Sequence, residues 1–391
     1  MTTSNPSANS LSPAGVTRIH SVDILRGIVM VLMAIDHVRV YSGIPAGAPD
    51  PGIFFTRWIT HFCAPGFVFL TGTSAFLYGI KTDNKKNLTR FLLSRGALLV
   101  VLELTLIRFC WTFNFDYSEF VLAGVIWMIG WCMILLAFLV KLKPMLVGII
   151  GLAIILLQQL FSLVPKVFPE SMRNSFGLFW EFIYPAGLNA VFDMTVLYVI
   201  VPWIGVMAAG YGFGLIVTME PDKRKKLCLR IGLTCIILFI VGGSLAIMLS
   251  PATNGPPFLF KLLNQQKYPA SQLFLLMTLG PMITLIPIVE NAQSAWARIM
   301  TIFGRVPFFY YLIHIPFIHI SALVVRLIID GSLNNDGYAN APFTRIPEEQ
   351  RWSLGLLYLI FLIDVAILFF LCRWYARYKG DHAEKKWLQY I

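Results

Sequence analysis

The chain has 391 residues, of which 57% are hydrophobic, 14% aromatic and only 13% charged, with a mean hydropathy of +0.73. A soluble domain has about a quarter of its residues charged, so the composition excludes a soluble globular protein and fits an all-α, polytopic membrane bundle. The formal net charge of +11 at pH 7 would suit a nucleic-acid binder, but the cations are spread as topology signals and no nucleic-acid partner is expected.

In chain order, residues 1–17, rich in Ser, Asn, Thr and Pro, read as a short disordered cytoplasmic tail. Apolar runs long enough to span, about 20 residues each, follow at 24–43, 57–80, 91–112, 119–140, 144–163, 195–218, 228–249, 271–290, 305–328 and 352–373, which makes ten transmembrane helices. Alternate connections hold 21 of the Lys and Arg residues and the other side holds 10. That excess marks the cytoplasmic face, so both termini are expected inside. The transmembrane domain is assigned to 18–378 and a basic cytoplasmic tail to 379–391. No small-residue cleavage site follows the first run, so it is expected to stay as an anchor. Among the longer outer connections, 176–193 is rich in aromatics and is expected to lie at the interface or re-enter the membrane. Pro65, Pro202, Pro281, Pro287, Pro307 and Pro316 are expected to break spans and line a polar chamber.

The first run carries Arg26, Asp36 and His37, and ionisable groups in hydrocarbon are functional suspects. Arg26 and His37 return to within about 20° of one helix face and lie about 16 Å apart along it. The stripe Arg26, Met30, Met33, His37 therefore carries a cation at one end and a base at the other. His37 titrates near neutral pH and is the first candidate for a general base; the alternative is a histidine satisfied by a neighbouring helix. Asp36 points about 100° away from it and, with His61, completes the catalytic candidates. Arg57 shares a helix face with His61 at i+4. Arg57, His314 and Tyr311 are the candidates for substrate binding, His314 lying on the face of Tyr310 and Tyr311.

Arg26, Arg95 and Arg305 group near the cytoplasmic ends of their helices and are candidates for holding an anionic ligand, a guanidinium fork being well matched to phosphate. Asp23 at i−3 offers Arg26 a purely structural alternative. Glu103 and Arg108 are expected to neutralise each other or nearby helices. The six cysteines show neither metal nor disulfide spacing, and no metal is expected. The chain has no Gly-rich phosphate loop, zinc helix or nucleophile elbow.

The strings Ser21–His37, Thr56–Gly72, Pro202–Gly212 and Gly304–His314 resemble bacterial proteins related to heparan-alpha-glucosaminide N-acetyltransferase. The wider transmembrane acyltransferase superfamily similarly carries a basic residue, ten residues and a histidine in its first helix, here Arg26 and His37. The resemblance implies transfer of an acyl group, usually acetyl, from cytoplasmic acetyl-CoA to a carbohydrate or glycolipid acceptor across a bacterial inner membrane. Arg26, Arg95 and Arg305 would then hold the CoA phosphates. The lysosomal enzyme's accepting histidine lies in the loop after the first helix, and Gly43–Phe55 holds none. Direct transfer with His37 as base is therefore expected. From the residues alone a proton-coupled transporter of an anionic or lipid-linked solute also stays open.

Overall fold

The computed structural model describes residues 19–47, 50–118, 121–167, 169, 176–185, 194–250, 255–382 and 384–389. The expected tail at 1–17 and most of the second half of 176–193 lie outside these residues; within that segment, 176–180 form a helical turn.

The apolar runs become helices: α1 (His20–Tyr41), α2 (Pro51–Thr60), α3 (Cys63–Thr82), α4 (Lys85–Leu102), α5 (Arg108–Thr112), α6 (Val125–Leu139), α7 (Pro144–Leu156), α8 (Val164–Val167), α9 (Trp203–Val217), α10 (Pro221–Met248), α11 (Phe258–Leu263), α12 (Gln272–Val289), α13 (Ala295–Arg305), α14 (Pro307–Asp330) and α15 (Leu354–Asp381). Polar residues fix several starts. The side chains of Asp50, Asn84, Ser271, Ser294 and Ser353 each accept a backbone N–H from the first turn of α2, α4, α12, α13 and α15, satisfying donors that have no intrahelical partner.

Among the described residues, five helical stretches are long and apolar enough to cross a bilayer: Pro51–Thr82, Pro221–Met248, Gln272–Val289, Pro307–Asp330 and Leu354–Asp381. The pair Pro144–Leu156 and Gln158–Val167, bent by 60°, makes a sixth if taken as one span. The protein is thus an integral membrane helical bundle. α1 and α4 carry too many charges to meet the same composition.

The prolines divide: Pro202 and Pro307 stand where helices begin, as expected of breaks, and others do not. Pro281, Pro287 and Pro316 lie inside α12 and α14, which run on through them, as packing against neighbours allows within a membrane. The run expected at 195–218 is helical only from Trp203. Its beginning, Met194–Val196, pairs in parallel with Val121–Ala123, so β2 and β1 occupy the backbone there. The chain turns instead between α2 and α3, at His61 and Phe62, and between α13 and α14, at Val306.

α1 is the central helix. Thirteen of its 22 residues are buried, and it packs on α2, α3, α12, α13, α14 and α15. By contrast only 17% of the apolar windows of α10 and α15 is buried, so these helices face the lipid. The crossing of α1 with α13 depends on two glycines. A Cβ on Gly27 would stand 1.9 Å from Met300 O, and one on Gly304 would stand 1.8 Å from Asp23 O. Such small residues let membrane helices approach at backbone distance. Elsewhere, Arg224 at the start of α10 pairs with Glu290 and donates to Val217 O at 3.0 Å and Met219 O at 2.6 Å, which ties the ends of α9, α10 and α12.

Substituting Gly304 by Val should force α13 away from α1 and destabilise the protein by about 1–3 kcal/mol or more, read as a lowered midpoint of thermal unfolding in detergent. An unchanged midpoint would mean that the close crossing is not needed.

Candidate active site

The last two turns of α1 project Asp36, His37 and Arg39 toward a chamber of about 550 Å³. Its walls also include Arg57, His61, Glu103, Trp111, Tyr198, Lys267 and Tyr311, with residues 342–346 on one side. A second cavity, of about 280 Å³, lies at the other end of α1 between α3, α4, α6 and α14, and is lined by Arg26, Ser74, Arg95, Phe308 and mainly apolar residues. Val125 and Tyr311 belong to both linings, so these two side chains stand between the chambers.

His37 is held by a second histidine. Its Nδ1 lies 2.8 Å from Nε2 of His314, and His314 Nδ1 lies 3.0 Å from Tyr310 O and 2.7 Å from Tyr311 O. Carbonyl oxygens only accept, so His314 must carry its proton on Nδ1. Its Nε2 is then an acceptor in the neutral ring, and His37 must donate from Nδ1. The lone pair of His37 consequently resides on Nε2, the nitrogen turned away from His314, on a ring that lines the larger chamber. This tautomer follows from the partners of both rings and not from observed hydrogens. Trp111 packs edge-on against His37 with ring centroids 4.7 Å apart, and Tyr41 fixes Trp111 by donating its hydroxyl to Trp111 O at 2.6 Å.

Asp36 does not serve His37. Its carboxylate accepts from Arg39 at 3.0 and 3.4 Å, and Arg39 also donates to Ile44 O at 3.2 Å. His61, which caps α2, is 3% exposed, stacks edge-on against Phe274 and leaves Nδ1 with no hydrogen-bond partner. Arg57 reaches the chamber from α2 and donates to Ala46 O at 3.3 Å. Of the expected substrate-binding residues, Arg57 and Tyr311 line the chamber, whereas His314 is fully buried behind His37.

Of the three expected phosphate ligands, Arg26 and Arg95 line the second cavity. Arg26 donates to Ser74 Oγ at 2.6 Å and Gly304 O at 3.0 Å and pairs with Asp23 at 3.3 Å. Arg95 lies over the rings of Phe91 and Phe308 at 5.7 and 5.5 Å. Arg305, at the exposed C-terminus of α13, is not brought into that lining.

The expected pairing of Glu103 with Arg108 is not formed. Glu103 sits in a π-helical turn, Glu103–Ile107, and its Oε2 accepts the N–H of Ile126 at 3.1 Å, capping α6. Gly124 makes room for this, since a Cβ there would lie 2.2 Å from Glu103 Oε1. Arg108 instead donates to Thr112 Oγ1 at 3.2 Å and to the carbonyls of Asn114 and Asp116, groups exposed where α5 ends.

Sequence reasoning missed Lys267, Tyr198, Glu103 and Trp111 as chamber residues. Lys267 lies in the tight turn before α12, where Lys267 pairs with Ala270. Its ammonium sits over the rings of Tyr198 and Tyr268 at 5.8 and 5.2 Å. Burial works against its charge, but Tyr198, Tyr268 and Asp36 outweigh burial and hold it protonated. Only the turn residues Tyr268-Pro269 hinted at it. Among the described residues no group of His, Cys, Asp and Glu is placed to hold a metal.

The membrane bundle thus holds a histidine-bearing chamber at one end of its central helix and a cavity lined by Arg26 and Arg95 at the other. The catalytic domain of heparan-alpha-glucosaminide N-acetyltransferase, as a family, matches residues 18–251. That is more than half of the chain, which belongs to this family of transferases and shares its acetyltransferase-like character. No curated protein matches the chain significantly. The matched region contains Arg26, Asp36, His37, Arg57, His61 and Arg95, while Lys267, Tyr311 and His314 lie beyond it.

Replacing Tyr41 by Phe removes the bond to Trp111 O and leaves a buried carbonyl unpaired, at a cost of about 1–3 kcal/mol. The unfolding midpoint should fall and Trp111 fluorescence should shift; neither change would mean that Tyr41 does not fix Trp111.

Proposed function

We propose that this protein transfers an acyl group, acetyl foremost, from acyl-CoA in the inner cavity to a carbohydrate-type acceptor in the outer chamber, with His37 as general base. The observation that carries this reading is the pair of chambers at the two ends of α1, with Tyr311 and Val125 common to both linings. A cation-lined cavity of about 280 Å³ is near the small end of ligand sites, which run from roughly 300 to 1,000 Å³. It suits the narrow pantetheine arm, with Arg26 and Arg95 facing phosphates at its mouth. Ten crossings with both termini on the cytoplasmic side would open that mouth to the cytoplasm, in a bacterial inner membrane.

Chemically, His37 Nε2 takes the proton of the acceptor hydroxyl or amine as its oxygen or nitrogen attacks the thioester carbonyl carbon. The new C–O or C–N bond forms, the C–S bond breaks, and the CoA sulfur leaves as thiolate, which the proton on His37 can neutralise. His314 acts as a positioning residue: it keeps the lone pair of His37 on the nitrogen that faces the chamber. A carrier of an anionic solute would use the same cations, but the family favours group transfer.

The test is acetyl-CoA turnover by purified protein in detergent. His37→Ala should lower the rate by about 10²–10⁴ while the protein stays folded, and a retained rate rules out the base. Acidification should slow the wild type, because a protonated His37 has no lone pair to offer. His314→Phe should lower kcat more than it raises KM and change the pH profile, which a packing role alone would leave in place. Arg95→Gln should weaken CoA affinity; unchanged affinity would move the donor elsewhere.

A further inference from the structure

The outer chamber carries more positive charge than its own carboxylates neutralise. Arg39 is committed to Asp36. Arg351 pairs with Glu348, and Arg345 is exposed, where water screens it. Glu103 is engaged in capping α6. That leaves Arg57 and Lys267, both partly buried on the chamber wall, with no described carboxylate at ion-pair distance. Arg57 spends one N–H on the carbonyl of Ala46, and Lys267 is cradled by two tyrosine rings. His61, almost fully buried and lining the same chamber, adds an imidazole whose Nδ1 has no partner. Both Arg57 and Lys267 are close enough to act on the charge of His61.

Asp36 is the one carboxylate whose charge reaches both cations, and it is already paired with Arg39; partly buried cations in excess of their counter-ions are costly, and such groups mark ligand paths. A carboxylate would neutralise one of the two. A phosphate monoester carries about −1.5 to −2 charges at pH 7 and three acceptor oxygens, which matches a guanidinium, an ammonium and a neutral imidazole donor together.

We propose that Arg57, Lys267 and His61 form a phosphate subsite, and that the acceptor is a phosphorylated sugar anchored there beside His37. This rests on the reading that the inner cavity takes the donor. The phosphate is borne either by a soluble sugar or by a lipid carrier. The phosphate is common to both sources, so both share the same recognition chemistry at the chamber wall, where Tyr268 is exposed.

The experiment is equilibrium binding of radiolabelled inorganic phosphate to the purified full chain in detergent, with CoA present at saturation. Saturable binding is expected, weakened at least tenfold in both Arg57→Gln and Lys267→Gln, each checked for a monodisperse elution profile. Arg57→Lys should recover part of the loss, since the charge returns without the fork. Competition by dodecyl phosphate in mixed micelles at concentrations at least tenfold below those needed with glucose 6-phosphate would place the phosphate on a lipid; the reverse order would place it on a soluble sugar. Absence of saturable binding to the wild type, or equal binding by wild type and both variants, overturns the subsite. Binding that appears only without CoA, together with loss of CoA affinity in Arg57→Gln, would give these cations to the donor and also overturn it. Failure of the transfer reading itself is seen separately, as wild-type protein that never consumes acetyl-CoA.

Discussion

The hydrogen bond between His37 Nδ1 and His314 Nε2, 2.8 Å long, is the contact on which the rest of the site depends. An isolated imidazole exchanges freely between two tautomers. Here two backbone carbonyls of α14 settle the proton of His314, and His314 in turn settles that of His37. The outcome is an imidazole whose lone pair is held in one direction, the pre-organisation that the proposed proton transfer would need. It also accounts for a polar pair deep in an apolar bundle: every inward-facing nitrogen of the two rings has a partner.

α14 serves two purposes within one helical turn. Tyr311 stands in the lining of both chambers, and its carbonyl is the shorter of the two contacts to His314. A movement of Tyr311 that joined the chambers would therefore be felt at the base. α1 bears the complementary arrangement, with Arg26 in one lining and His37 in the other. Burial of α1 at the centre of the bundle, made possible by the glycine crossing with α13, keeps both of these polar side chains out of lipid.

Much of this was legible in the chain before folding. The eleven-residue spacing puts Arg26 and His37 on one face of α1; that they line two different cavities is set by the helices packed around it. Arg57 and His61, read as one face, do line a single wall. Other expectations gave way for identifiable reasons. Arg108 turned to nearby carbonyls because α5 ends at Thr112 and leaves them exposed. Prolines inside α12 and α14 did not break those helices, since neighbours support them. Lys267 and Trp111 carry no motif; they reach the chamber from turns and helices distant in sequence.

What the sequence determined by itself was local and periodic: helices of apolar residues, the membrane as their solvent, and which charges share a helical face. Those follow from a fixed rise and twist per residue and from the cost of charge in hydrocarbon. Tertiary structure decided the rest: that His37 meets His314 across 277 positions of chain, that Arg305 stays outside the inner cavity, and that Lys267 joins Arg57. These are distances between separate helices, set by how closely glycine-bearing faces pack, and no residue spacing along the chain encodes them.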